Sequence, residues 1–305
     1  MSVQDLPREL VQNASGPGAG EFVPVVDRRP SAFRALLRQP GVLIGLVVLL
    51  LIVLMAFFAP WLAPGDPLDI VGSALLHPGE DPAFPFGTDM MGRDVFAGIV
   101  HGARVSLTVG LAATALSVTG GVLIGAVGGY FGGRVDDLIV RFIEIFQTIP
   151  GFVLLVVLVA VAQPSIGTVV VGIAVISWDG IARLARAEFR TLRQADFVSA
   201  ARSSGFGSVD IIFREILPNA LPSLIVTASI MVASAILQES ALAFLGLGDP
   251  NTVSWGSMIG AGREMLRTHA YLTAIPGGFI VLTVLALNLI GDGLNDILNP
   301  KLRNG

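Results

Sequence analysis

The sequence predicts an all-α membrane protein with six transmembrane helices, and three observations carry that prediction. The mean hydropathy is +0.77. Apolar residues make up 53% of the chain and charged ones only 14%, against about 25% charged in an ordinary soluble domain. Apolar runs also recur at lengths near the ~20 residues that cross a ~30 Å hydrocarbon core.

Taken in order, residues 1–40 are rich in Pro, Gly and Arg, lack any apolar period, and read as a cytoplasmic N-terminal tail with a short helix near SAFRALLRQ. The run 41–63 lies too deep and is too long for the core of about 7 to 15 residues in a secretory signal. It is read as a retained first span, opening a transmembrane domain over 41–305. An extracytoplasmic loop, 64–103, follows, and core spans then lie between residues 105 and 290, at 105–131, 142–162, 166–182, 221–247 and 271–290. With the N-terminus inside, 15 of the 19 basic residues fall on the inner side. Only Arg93, Arg104, Arg263 and Arg267 remain outside, so the positive-inside rule places both termini in the cytoplasm. The longest interior cytoplasmic loop is then 183–220.

Several function classes fall away. A net charge of −4 and a pI near 5.4 speak against a nucleic-acid partner, which needs a concentrated basic face. The absence of cysteine removes disulfides, thiolate metal sites and cysteine nucleophiles. His77, His101 and His269 are too scattered for a HExxH metal site, and DGLND at 292–296 lacks the spacing and terminal Glu of an EF-hand. The single lysine, Lys301, stands in no G-x-x-x-x-G-K-[ST] context. If ATP is used, another subunit binds it.

Gly121, Gly125, Gly129 and Gly133 repeat every four residues in the second span, three overlapping GxxxG motifs. Such a ridge lets another backbone approach closely. Its partner is either a neighbouring helix or subunit, or simply this chain's own bundle.

The inner loop holds FVSAARSSGFGSVDIIFREILPN, residues 197–219. Small residues at Ser199, Ala200 and Ala201 allow a helix to lie flush in another protein's groove. Gly205 can take a positive φ that ends it. Ser208 can cap a second helix, whose Ile211, Ile212 and Ile216 form a stripe ahead of Leu217 and Pro218. This suits docking, with a surface helix lying on the membrane as the alternative.

The stretch resembles the cytoplasmic EAA motif, E-A-A-x3-G-x9-I-x-L-P, of ABC importer permeases. It matches at Ala200, Ala201, Gly205, Leu217 and Pro218 and departs at Ser199 and Glu215. FGTDMMGRDVFAGIVHGARVSLTVG (86–110), PNTVSWGSMI (250–259) and IPGGFIVLTVLALNLIGDGLNDILNPKL (275–302) resemble the C-type permease of dipeptide, oligopeptide and nickel importers. The resemblance runs from about residue 40 onward. It implies a type I ABC importer fold with cytoplasmic coupling helices. The implied partners are a homologous B-type permease in a heterodimer, two ABC ATPase subunits that use ATP and Mg, an extracytoplasmic substrate-binding protein and the lipid of a bacterial inner membrane. No cofactor is expected on this chain.

Ionisable groups inside a membrane are costly and therefore informative. Glu239, toward the outer end of the fifth span, either faces a translocation path or bonds to backbone or a partner subunit, the second reading being favoured because an acid is common there in the family whatever the substrate. Arg141 with Glu144, and Asp179 with Arg183, are spaced to pair on one helix face, and Asn288 with Asp292 to join helices. The outer loop is acidic and is read as a folded landing surface for a binding protein. A self-sufficient secondary transporter or channel would need paired acids near the midplane, and these acids sit toward span ends. An intramembrane enzyme would need a GxSxG, HExxH or Ser-Lys constellation, and none is present.

Overall fold

The computed structural model describes residues 39–298. Residues 1–38 of the tail, nearly all of its proposed short helix, Lys301 and Arg303 lie outside the described residues. Apart from one antiparallel bridge between Thr88 and Asp94, regular structure among the described residues is helical.

Helix α1, Pro40–Phe57, opens with proline in its first turn, where a missing N–H costs nothing. The short α2, Ala59–Leu62, follows it. Gly45 lets α1 close on the last helix: a Cβ there would stand 2.8 Å from the Ala286 carbonyl oxygen.

Helix α3, Val95–Phe131, begins well before the predicted edge at 105. Asp94 caps it by accepting from the Phe96 N–H at 2.8 Å. His101, inside the extracytoplasmic loop expected at 64–103, bonds the Ala63 carbonyl through Nε2 at 2.9 Å. At 1.5 Å per residue this 37-residue helix is about 55 Å long, and its two ends define the two ends of the molecule.

The third predicted span is not one helix. Helix α4, Gly133–Gln147, and helix α5, Gly151–Ala162, meet at 78°. Pro150 lacks an N–H and disfavours helical backbone at Ile149, so the chain turns there. Helix α4 is two-sided: Val135, Leu138, Phe142 and Ile145 are exposed, while Arg134, Asp137, Arg141 and Glu144 follow a neighbouring stripe.

Helix α6, Ile166–Leu192, starts in a reciprocal Ser165/Thr168 capping box and runs well past the expected boundary at 182. Helix α7, Asp196–Ser203, follows. The chain is then helical from Ser208 to Phe244, as α8, Ser208–Asp210, a π-helical stretch, Ile211–Ile216, and α9, Leu217–Phe244. Helix α10, Trp255–Gly262, precedes a single 3-10 turn, and α11, Tyr271–Leu298, completes the fold. Five helices are long and apolar enough to cross a membrane, and the bent α4–α5 pair makes a sixth crossing if it counts as one.

Three apolar cores run along the bundle. One gathers Ile99, Ala103, Ile236 and Trp255 near the start of α3. A second holds Val109, Leu155, Ile173 and Leu242. The third gathers Tyr130, Phe189, Val198 and Ile216 near the end of α3.

The ridge of α3 packs within this chain. A Cβ at Gly121 would stand 2.6 Å from the Trp178 carbonyl, at Gly125 2.9 Å from the Ala185 Cβ, and at Gly129 2.5 Å from the Arg186 carbonyl. The three glycines therefore seat α3 directly on the α6 backbone. Gly133 does not belong to that face. Helix α3 has ended by then, Gly132 and Gly133 have φ of 67° and 55°, and no atom lies within 4 Å of a Cβ placed at Gly133. Its spacing is that of the ridge, but its role is the turn into α4.

Residues 64–94 form a folded cap. Asp89 accepts from the N–H groups of Met91 and Arg93 at 2.8 and 2.9 Å, and Thr88 donates to the Ser73 carbonyl while accepting from the Leu76 N–H. The Tyr271 hydroxyl of α11 reaches the carbonyls of Leu76 and Thr88 at 2.8 and 2.7 Å. The rings of His77 and His269 stack at 4.9 Å.

Candidate coupling site

The motif residues lie at the far end of α3 from this cap. Helix α6 ends at Leu192, and Ala195 is extended, which turns the chain into α7. Along α7, Val198 and Ala201 are buried whereas Ser199 and Ala200 are exposed. A pair of backbone bonds closes the helix: the Gly205 N–H donates to the Arg202 carbonyl at 3.0 Å and the Phe206 N–H to the Ala201 carbonyl at 3.1 Å. This double bond pattern needs a left-handed residue at 205, and Gly205 has φ of 84°.

The second half departs from the sequence reading. Ser208 is not a cap: Gly207 occupies the N-cap position and no side chain closes it. Nor is there a break before the next span. The helix widens to π geometry over Ile211–Ile216 and continues into α9, the Leu217 N–H reaching back to the Ile212 carbonyl. Pro218, in the first turn of α9, accounts for the widening. It supplies no N–H, and its ring crowds the carbonyl four residues earlier.

Val198, Ala201, Ile211 and Ile216 pack into one core with Ala126 and Tyr130 of α3 and Ala185 and Phe189 of α6, and Leu217 lies against it. Arg202 places its guanidinium 5.6 Å from the centre of the Tyr130 ring. The ridge and this seat share Phe189, which also borders Gly129. Thus Ala201 and Leu217 come together around one core, Ser199, Ala200 and Gly205 are exposed, and Pro218 is exposed at its edge. Phe197, Phe206, Val209 and Phe213 fringe the outward side as exposed apolar groups.

Glu239 is remote from this end. It is 4% exposed, and its Oε2 accepts from the hydroxyls of Ser106 at 3.2 Å and Ser240 at 3.4 Å. The carboxylate therefore joins α3 to α9 inside this subunit.

The charged pairs predicted from spacing do not form. Gln147 donates to Asp179 and accepts from Arg183 at 3.1 Å, so one amide at the end of α4 occupies both. Arg141 and Glu144 form no ion pair among the described residues. The pair that does form across helices is Asp136 of α4 with Arg186 of α6, bidentate, with the second bond 2.7 Å long. Its members are fifty residues apart, so no helical spacing announces it.

Comparison with known proteins gives the same architecture a lineage. Residues 121–304 match the model of the binding-protein-dependent transport system inner membrane component. Residues 31–78 match the N-terminal transmembrane domain of oligopeptide transport permease C. The di/tripeptide transport system permease protein DppC of Pseudomonas aeruginosa (strain UCBPP-PA14) is 41% identical over 270 residues, covering 87% of this chain and 89% of that protein. The oligopeptide transport system permease protein OppC of Bacillus subtilis (strain 168) is 33% identical over 308 residues, covering 99% and 100%. Among solved structures, a chain of the inward-facing MetNI methionine ABC transporter shares the fold, with a TM-score of 0.55 at 18% identity over 66% of this chain and 96% of its own. With two family models spanning most of the helical bundle and relatives aligned nearly end to end, the chain belongs to the binding-protein-dependent transport system inner membrane component family, the permeases of ABC importers.

Proposed function

We propose that this chain is the C-type half of the translocation pore of an ATP-driven importer of peptides or a related small solute. It pairs with a homologous B-type permease in the bacterial inner membrane, with both termini in the cytoplasm. Two ABC ATPase subunits bind ATP and Mg, one of them pressing on residues 196–216, and an extracytoplasmic binding protein delivers the substrate to the cap formed by 64–94. The observation that carries this reading is the build of α7. Small exposed residues, Ser199 and Ala200, are offered outward beside an apolar fringe, while Val198 and Ala201 fix the helix to α3 and α6. A helix so placed transmits a push to two long helices at once. Glu239, tied to Ser106 within the subunit, is assigned a bracing role rather than a place on the path.

The test is co-expression of this chain with its neighbouring permease, ATPases and binding protein, followed by purification and reconstitution. Stable co-purification and ATP-dependent uptake of labelled dipeptide, delivered by the binding protein, are expected. Uptake by the lone chain would favour a secondary transporter. ATP-dependent uptake of nickel chelates but not peptides would retain the importer and change its cargo.

A further inference from the structure

A charged cavity of about 210 Å³ opens where α3 ends, α4 begins and α6 ends, lined by Gly132, Gly133, Asp136, Arg190, Arg193 and Gln194 among others. Its one carboxylate is engaged, because Asp136 accepts from Arg186 through both oxygens. Two guanidinium groups are left. Arg190 and Arg193 have no carboxylate within salt-bridge distance among the described residues, and Arg193 commits one N–H to the Phe131 carbonyl at 3.2 Å, keeping its others. The missing side chains of Gly132 and Gly133 keep the rim open. A Cβ at Gly132 would press on the Arg193 Nη1 at 2.9 Å.

We infer that this cavity binds the phosphate of an anionic phospholipid. Planar guanidinium groups engage phosphate oxygens in bidentate fashion, and basic pockets between helices at a membrane boundary suit lipid headgroups. What distinguishes a lipid from free phosphate is the apolar surface of the same turn. Phe131, Val135 and Leu138 are all exposed, at the end of one membrane-crossing helix and on the first turns of α4. A phosphodiester held by Arg190 and Arg193 would leave its acyl chains against them. The bound lipid braces α4 against α6 just beside Phe189, the side chain shared by the glycine ridge and the seat of α7.

Native mass spectrometry of the purified full-length chain tests this. The probes are phosphatidylglycerol, phosphatidylethanolamine with the same acyl chains, and inorganic phosphate. Phosphatidylglycerol is expected to bind in preference to phosphatidylethanolamine. Arg190→Gln should weaken it about fivefold and the double variant with Arg193→Gln about thirtyfold, each basic residue near an anionic lipid contributing roughly a factor of five. Arg190→Lys, which keeps the charge but loses the bidentate fork, should bind between wild type and Arg190→Gln. Arg190 is exposed, so its single variants carry the test even if the double variant folds poorly. Equal binding of the two lipids, or unchanged phosphatidylglycerol binding in Arg190→Gln, would overturn the site. Competition by inorganic phosphate at matching affinity would overturn the lipid assignment.

Discussion

The cap end and the coupling end of this subunit are held together by different physics. At the cap, polar groups cross between elements: Tyr271 to the carbonyls of Leu76 and Thr88, the Trp255 indole to the Ile99 carbonyl, and Ser106 to Glu239. At the coupling end, the side-chain hydrogen bond that leaves 196–216 is local, from Asn219 to the Glu215 carbonyl at 2.6 Å, and among the described residues none ties the segment to α3 or α6. Its attachment is apolar, through Val198, Ala201, Ile211 and Ile216, with one guanidinium over a ring. Directional bonds fix a geometry, and a net bond contributes about 1 kcal/mol that is lost when partners separate. Apolar contacts are non-directional and persist through small shifts of one surface over another. The proposed importer, in which this subunit would receive a binding protein at one end and move with an ATPase at the other, needs this division.

The sharpest way to break the comparison is to show that the two ends share one side of the membrane. The chain has no cysteine, and Ser73 and Ser203 are both exposed. An impermeant thiol reagent added to sealed cells should label Ser73→Cys and leave Ser203→Cys unlabelled, an all-or-none difference. Labelling of both from outside would dismantle the proposed orientation and the ATPase role with it.

Next in size are changes within the seat. Ala201→Glu drives a carboxylate into the apolar core of Tyr130 and Phe189, at a cost of about 3 to 5 kcal/mol. Gly205→Val forces a β-branched residue into φ of 84°, at a cost of about 1 to 3 kcal/mol. Both should abolish ATP-dependent uptake and weaken ATPase co-purification, while membrane insertion and pairing with the other permease survive. Normal transport by both variants would remove the segment from the coupling path.

A smaller functional effect is expected one layer deeper, at Gly125→Leu. There a side chain must displace the α6 backbone near Ala182 and Ala185, which exceeds the ~1 to 3 kcal/mol of ordinary overpacking. The yield and thermal stability of the complex should fall. Unchanged values would mean that α3 and α6 do not approach as closely as the structure places them.

The ridge also shows how far the sequence could be read. A spacing of four gives a helical face, so Gly121, Gly125 and Gly129 were legible. Gly133 was not, because spacing carries no information about where a helix stops. Gly205 was legible for a local reason, since the bonds that close α7 all lie within a few residues. The bend at Pro150 hid inside an apolar run that hydropathy alone treats as continuous. The π stretch before Pro218 hid because a missing N–H can be absorbed by widening a helix as readily as by ending it. Asp136 with Arg186, and Gln147 with Asp179 and Arg183, depend on which helices become neighbours. For these pairs the local spacings at 141/144 and 179/183 pointed to the wrong partners.

The smallest predicted effect probes whether the two ends are independent, and it falls on Tyr271. The hydroxyl stands between two carbonyls of the cap, 2.8 Å from that of Leu76 and 2.7 Å from that of Thr88. The Leu76 carbonyl keeps a second donor in the Thr88 N–H at 3.1 Å. Tyr271→Phe therefore removes about one net hydrogen bond, or 1 to 2 kcal/mol with the carbonyl left short of a partner. Hydrogen exchange at Leu75, Leu76 and Thr88 should quicken by about 5- to 30-fold, the factor that such a loss implies for local opening. Affinity for the binding protein should drop with it. Association with the ATPases should stay at the wild-type level, because the cap and the seat of α7 lie at opposite ends of the 37-residue α3. Wild-type exchange would show that the cap is held by its other contacts, chiefly the Asp89 turn and the stacked His77 and His269. Loss of ATPase association would show that the hydrogen-bonded end and the apolar end behave as one cooperative unit, and the division between platform and joint would have to be abandoned.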